Sequence, residues 1–225
     1  MIGDSYDDVD GHVPDADLGL GCGIPTEHAG LAPGQTVVDL GSGAGIDAFV
    51  ARRTVGAAGQ VIGVDFTPEM IEKARANAAA LGVENVRFLQ GDIEDLPLDD
   101  DIADVVLSNC VLNLVPDKER AFAEMYRVLR PGGHFCVSDI VTRGTLPDAV
   151  RQSLSLHAGC VAGALDEEGY LEKIAHAGFE AVEVQEQRRI EVPEDVLPES
   201  LSRHERASFT RDGLWSVTVR GRVAA

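Results

Sequence analysis

Lysine is scarce in this 225-residue chain, which has only Lys73, Lys118 and Lys173 against 16 arginines. With 19 basic and 38 acidic side chains, the formal net charge is −19. A field of that sign repels phosphate backbones, so no nucleic-acid partner is expected. Abundant acid with little lysine suits a protein kept soluble in high salt. No run approaches the roughly 20 consecutive apolar residues of a membrane span, and no membrane partner is expected. The opening residues, MIGDSYDDVDG, are the reverse of a secretory signal, so the expected location is cytoplasmic. The six histidines form no H-x-x-x-H or H-E-x-x-H pattern, which argues against a histidine metal site. Cysteine is limited to positions 22, 110, 136 and 160, with no C-x-x-C pair. That spacing gives no local zinc knuckle, and the chain is too long for a small disulfide scaffold. Free thiols are expected, and any site they form must be assembled by the fold.

A hydrophobic fraction of 44% supports a full core, and the length suits one α/β domain with a modest extension. Residues 1–30 are rich in Gly and Asp with little periodicity, and read as a lead-in segment carrying Cys22. Apolar runs predict strands at Thr36–Leu40, Gln60–Val64, Val86–Leu89, Asp104–Asn109 and His134–Ser138. Between them, helices are expected from the Gly-rich stretch to about Arg53, from an N-cap at Thr67 with Pro68 at the first position, and from a cap at Asp117. Met70, Ile71, Ala74, Ala78 and Leu81 share one face of the second helix, and Gly82 closes it. Five alternations of strand and helix predict a doubly wound, mostly parallel sheet covered on both faces. Leu146–Ala175 reads as helical and contains the small-residue run Ala158–Ala164. Phe179–Gln187 and Leu214–Arg222 alternate, predicting two more strands as an antiparallel edge, seven in all, with Trp215, Val217 and Val219 as strand core.

The loop Asp39-Leu40-Gly41-Ser42-Gly43-Ala44-Gly45 lies between the first strand and its helix. Glycines there let the backbone approach a ligand closely. The dinucleotide fingerprint G-x-G-x-x-G/A fails, because Ile46 stands where Gly or Ala is required. The loop instead resembles the first motif of class I methyltransferases. Asp65 ends the second strand, where a carboxylate can accept ribose hydroxyls. Gly91-Asp92-Ile93-Glu94 resembles the element that meets adenine in that superfamily, and Arg127–Gly133 the turn before its fifth strand. The resemblance implies a Rossmann-like class I methyltransferase fold over 31–225. It implies an S-adenosylmethionine site built from Asp39, Gly41, Ser42, Gly43, Asp65, Phe66, Met70, Asp92, Ile93 and Asn109.

In open α/β sheets ligands lie outside the carboxyl ends of the strands, which puts Cys110, just after the fourth strand, beside that site. A lone cysteine is usually a small buried apolar side chain, and Cys136 keeps that reading. His28, His157 and His176 read as surface or helix-face residues, and Asp99-Asp100-Asp101 as a solvated loop.

More specifically, the chain resembles the arsenite methyltransferases. The matching stretches are Gly21–Pro25, Gly63–Met70, Ser108–Lys118 (SNCVLNLVPDK) and Gly159–Leu165. The likeness implies that Cys22, Cys110 and Cys160 bind As(III) as its catalytic ligands, with a substrate-side helical insertion about 143–178. The implied substrate is arsenite or its thiol conjugates. The implied co-reactant is an external thiol reductant of thioredoxin or glutathione type. Three thiolates suit a soft, trigonal-pyramidal centre and leave its lone pair free to take a methyl group; the protein would supply proximity and reactive thiols. Only 21 residues precede Cys22, so a short lid over the cofactor is expected, with Tyr6 packed over it. Two rival readings stay open: methylation of a small organic acceptor, and a non-catalytic thiol-based metalloid binder.

Overall fold

In the computed structural model, which describes residues 6–144, 146–155, 159–192, 197–198 and 200–225, five apolar runs pair as parallel strands. They are β1 (Thr36–Leu40), β2 (Gln60–Asp65), β3 (Val86–Gln90), β4 (Ala103–Asn109) and β5 (Leu129–Thr142). The seven-stranded sheet runs β3-β2-β1-β4-β5-β7-β6, with β7 (Leu214–Arg222) antiparallel to both β5 and β6 (Glu180–Ile190). Successive side chains of a strand face opposite ways. Val38, Leu40, Ile62 and Val64 therefore join one core, and Val37, Val61, Phe88 and Leu107 the other. Helices α2 (Ile46–Val55) and α3 (Pro68–Leu81) cover the second face. The first is covered by α4 (Lys118–Val128) and α7 (Glu167–His176).

Local capping explains several boundaries. Asp117 accepts the N–H of Arg120 at 3.1 Å and starts α4, and left-handed Gly82 ends α3. Thr67 occupies the cap position of α3, but its side chain caps nothing. Asp65 accepts the Thr67 N–H instead, at 2.8 Å. On α3, Ile71, Ala74 and Ala78 are buried, whereas Leu81 is 47% exposed.

Four expectations need correction. The fifth strand begins at Leu129 rather than His134, because Pro131-Gly132-Gly133 bulges within it. The pairing Ala103↔Leu129 is followed directly by Val105↔His134. The single helix expected from Leu146 is three. These are α5 (Asp148–Ser155), α6 (Gly159–Ala162) and α7, the last restarted by Asp166 accepting the Gly169 N–H at 3.0 Å. His157 and Ala158 lie outside the described residues. Trp215 is only partly buried, with the Arg143 guanidinium 4.0 Å from its ring centroid. An unexpected helix, α8 (Arg203–Arg211), separates β6 from β7.

The lead-in segment contains the short helix α1 (Pro25–His28) and is pinned by buried Tyr6, Ala16, Cys22 and Ala29. A third apolar cluster sits above the sheet's carboxyl edge. It joins Cys22 and Cys110 to Ile140, Val150, Val161 and Phe209. The chain winds outward from β1 to β3 and returns to β4 beside β1, so the sheet's switch point lies between β1 and β4. Among the described residues no helix is long and apolar enough to cross a membrane.

Candidate active site at the carboxyl edge of the sheet

A cleft of about 590 Å³ opens at the switch point. Eight of the ten residues expected at a cofactor line it: Gly41, Gly43, Asp65, Phe66, Met70, Asp92, Ile93 and Asn109. Cys110 also lines it. Gly41 and Gly43 have φ of 67° and 52°, which glycine adopts without strain. A Cβ on Gly41 would fall 2.5 Å from Val111, and one on Gly43 would meet nothing within 4 Å. The Gly43 N–H donates to Asp65 at 2.9 Å, locking loop and strand end together. Asp39 and Ser42 are buried behind the loop and line a small adjoining cavity with Tyr6 and Asp47. Burial, then the nearby Asp47 and Asp65 carboxylates, hold the Asp39 carboxyl well above the usual range. The rim carries large apolar side chains facing water, Leu20 and Phe66 at 71% exposure and Leu114 at 56%. Such clustering marks a surface that a ligand covers.

The lead-in segment is bound into this cleft by hydrogen bonds. Asn109 donates from Nδ2 to the Tyr6 hydroxyl at 2.7 Å, to the Gly23 carbonyl at 2.8 Å and to Asp47 at 3.2 Å. Its Oδ1 accepts the Cys22 N–H at 3.0 Å. The Tyr6 hydroxyl donates to Asp47 at 2.8 Å. Tyr6 is thus wholly buried against α2 and β4 rather than lying loose over the cleft. Burial pushes the Asp47 carboxyl up to about 6 against the hydrogen bonds from Tyr6 and Asn109 that lower it. Gly21 and Gly23 flank Cys22 because nothing larger fits. A Cβ there would fall 2.7 Å from the Asn109 side chain and 2.5 Å from Ser138 Oγ respectively.

The three cysteines separated by 88 and 50 residues meet here. The Cys22 and Cys110 sulfurs lie within 4.8 Å of each other, and Cys160 packs against the same apolar cluster. One carbonyl, that of Ser138, accepts the Cys22 thiol at 3.6 Å and the Cys110 N–H at 2.8 Å. The Ser216 hydroxyl donates to the Cys22 carbonyl. Cys110 itself is left-handed, φ 59°, a conformation rare outside glycine and asparagine that clusters at functional sites. Cys22 and Cys110 are buried, and Cys160 is partly exposed. The Cys110 thiol is pushed up in spite of a hydrogen bond with Cys160 that works to lower it, through its bond to Cys22 and burial. The Cys160 thiol is pushed up by its hydrogen bond with Cys110 and by burial. These groups rest protonated. Cys136 lies fully buried in the opposite core, away from the trio.

Sequence reasoning missed Asp139. Its carboxylate shares a cluster with the Cys22 and Cys110 sulfurs, all three ligand atoms within 4.8 Å of one another. Tyr170 donates to its Oδ2 at 3.0 Å, and Oδ1 is buried with no partner. Burial pushes the Asp139 carboxyl up to about 7, against the Tyr170 hydrogen bond and the Lys118 charge. The available signal was an acid inside the apolar run Phe135–Val141, at a strand's carboxyl end.

Residues 31–190 match the family described as "Methyltransferase domain". An arsenite methyltransferase of Halobacterium salinarum is 46% identical over 224 residues, all of this chain and 56% of that protein. One from Aquipseudomonas alcaligenes is 39% identical over 188 residues, 80% of this chain and 54% of its own length. The chain thus spans about half the length of these curated relatives. The crystal structure of an arsenic(III) S-adenosylmethionine methyltransferase from Chlamydomonas reinhardtii superposes with a TM-score of 0.74 at 38% identity, covering 89% of this chain and 66% of that one. The chain belongs to the methyltransferase domain family, with the class I methyltransferase fold.

Proposed function

We propose that the protein transfers a methyl group from S-adenosylmethionine to trivalent arsenic held by Cys22, Cys110 and Cys160. The observation that carries this reading is the gathering of Cys22, Cys110 and Cys160 in one apolar cluster above the sheet edge, with Cys110 also lining the cleft.

The cleft fits the cofactor by its own features. The Gly41–Gly43 backbone leaves room for a close ligand, Asp65 offers a carboxylate at a strand end, and exposed Phe66, with Met70 and Ile93, offers apolar faces for a base. Asp39, Ser42 and Asp92 complete that set as support behind and beside the loop. Bound there, S-adenosylmethionine would supply an electrophilic methyl on a sulfonium.

Capture of arsenite by protonated thiols balances without outside acid or base. Each thiol gives its proton to a departing arsenic hydroxyl, three As–S bonds form, and three waters leave. A neutral, buried site suits a neutral substrate, since no net charge is desolvated. Three sulfurs leave the arsenic lone pair free, and the chain's contribution is to hold that centre beside the cleft. Methylation uses the lone pair and raises arsenic formally from trivalent to pentavalent. A thiol reductant of glutathione or thioredoxin type would return two electrons, two thiols becoming one disulfide. We assign the segment through residue 30 to cover the cleft and the stretch about 143–178 to enclose the substrate, both as parts of this one machine in the cytoplasm.

The test is incubation with arsenite, S-adenosylmethionine and a thiol at low and high salt, with arsenic species separated by chromatography. Methylated arsenic that disappears in Cys110→Ser and Cys160→Ser supports the assignment. Cofactor binding without methylated arsenic would return the choice to an organic acceptor, or to a metalloid binder.

A further inference from the structure

The donor set at the thiol site exceeds what trivalent arsenic uses. A trigonal-pyramidal centre takes three sulfurs, yet a carboxylate stands in one cluster with two of them. Asp139 is 1% exposed, and its carboxylate lies within 4.8 Å of the Cys22 and Cys110 sulfurs. Its Oδ1 has no hydrogen-bond partner, in a region where buried polar atoms nearly always have one. The groups facing it are the Lys118 ammonium, which donates to the Asn113 and Val115 carbonyls at 3.2 and 3.1 Å, the Tyr170 hydroxyl on Oδ2, and the Asn113 and Ile140 backbone.

We propose that Cys22, Cys110, Cys160 and Asp139 form a tetrahedral site for a thiophilic divalent cation of the zinc and cadmium class. Metal–sulfur bonds of about 2.3 Å and metal–oxygen bonds of about 2.0–2.2 Å put neighbouring ligand atoms roughly 3.5–3.8 Å apart. The Cys22, Cys110 and Asp139 ligand atoms, all within 4.8 Å of one another, need to close by little more than about 1 Å to meet that geometry, and Cys160, which stands outside that group on α6, has to swing in as the fourth ligand. Three sulfurs and one oxygen suit a d10 ion, which has no geometric preference beyond tetrahedral, and are a poor set for magnesium or calcium. Binding releases the thiol protons to solvent, and four negative donors against a 2+ ion leave a charge of −2, of which the Lys118 ammonium offsets half. The bound ion has no lone pair and no open position, so it accepts no methyl group. It occupies the three thiols that arsenic would need and acts as a dead-end competitor. The proposal shares its thiols with the arsenic reading but stands on Asp139, which that reading does not use.

The experiment is a zinc titration of the full protein under reducing conditions, with X-ray absorption of the zinc complex. One tightly bound zinc with three sulfur neighbours and one oxygen is expected. Asp139→Asn should weaken zinc by about tenfold or more, since even changes outside the ligand shell lose that much. Equal zinc affinity in Asp139→Asn, or a complex with sulfur neighbours alone, overturns the proposal. The absorption spectrum of the unaltered protein decides the matter even if the variant fails to fold. Added zinc should also block arsenite capture by the unaltered protein, and undiminished capture at saturating zinc counts against a shared site. Zinc binding with no arsenic methylation would sink the substrate assignment and leave this one standing. Arsenic methylation with no zinc oxygen ligand would do the reverse.

Discussion

Asn109 Oδ1 accepts the backbone N–H of Cys22 at 3.0 Å, joining two residues 87 positions apart. The same side chain donates to the Gly23 carbonyl at 2.8 Å, so both sides of the Cys22 peptide segment hang on one amide. Asn109 therefore does more than border the cleft: it sets where the first thiol stands. Asn109→Ala leaves the Cys22 N–H and Gly23 carbonyl without these partners, at about 1–3 kcal/mol for buried groups so exposed. Cofactor affinity should fall modestly, while arsenite capture should fall further and alkylation of Cys22 should speed up. Unchanged Cys22 labelling in a folded variant would refute the tether.

The Asp47 carboxyl gives the fold a particular pH signature. Its folded value of about 6 stands above the ordinary 3.8, chiefly through burial. A raised acid binds its proton at higher pH in the folded chain than in the unfolded one. Its ionisation therefore costs stability as pH rises through about 4 to 6, and below about 4 that cost is absent. Asp47→Asn removes this dependence. Relative to the parent, the variant should gain about 3 kcal/mol in unfolding free energy between pH 4 and pH 7, since each tenfold difference in proton affinity between folded and unfolded chains is worth roughly 1.4 kcal/mol. Whatever constant loss the altered Tyr6 and Asn109 contacts impose, denaturant titrations should show that slope. Parallel pH profiles would mean that Asp47 titrates normally.

The residues that line the cleft were far more legible in the sequence than the thiol cluster, and the reason is spacing. Gly41, Gly43, Asp65 and Asp92 each sit at a strand end within a contiguous motif, so local pattern and sheet geometry together locate them. Cys22, Cys110 and Cys160 come from a lead-in segment, a strand end and a short helix, and only resemblance to a family linked them. Asp139 was hidden because an acid in an apolar strand reads as a strand boundary, although β5 continues to Thr142. Helix α8 was hidden because RHERASFTR carries one large apolar residue, Phe209. Its available signal was the pair Ser202 and Glu205, which form a capping box.

The backbone of Gly163 packs directly on the turn after Cys110. A Cβ there would fall 1.9 Å from the Asn113 carbonyl oxygen, a backbone atom that no rotamer change can move. Gly163→Ala should push α6, with Cys160, away from the site. Overpacking of this kind costs typically about 1–3 kcal/mol. The expected variant folds, binds S-adenosylmethionine nearly normally and protects only two thiols with arsenite. Calorimetry of cofactor binding and mass-spectrometric thiol counting would check this. Full protection of three thiols would contradict it.

Salt should stabilise the fold. A net charge of −19 on 225 residues repels itself, and added electrolyte screens exposed charges beyond about 8–10 Å. The melting temperature should rise between low and molar potassium chloride. Little of that rise should be lost in variants of the buried cluster, because Asp39, Asp47 and Asp139 are shielded from solvent. A melting temperature that falls or stays level with salt would show that surface ion pairs such as Arg127–Asp100 outweigh the repulsion.

Thiol labelling should divide the four cysteines in order. Cys160 is the only one partly exposed, so a small alkylating reagent should reach it first, although slowly because its thiol is held protonated. Cys22 and Cys110 should follow at the rate at which the lead-in segment opens. Cys136 is fully buried in the core beneath α2, with its thiol pushed up to about 12 by burial, and should label only on unfolding. Bound arsenite should suppress the first three rates together and leave that of Cys136 unaltered, because one centre bonded to three sulfurs cannot shield them independently. Cys136→Ala should cost only the small transfer and cavity terms of a buried sulfur, roughly 1–2 kcal/mol, and keep three-thiol protection intact. Protection of two thiols in the parent protein, or loss of protection in Cys136→Ala, would mean that arsenic is held by a different set.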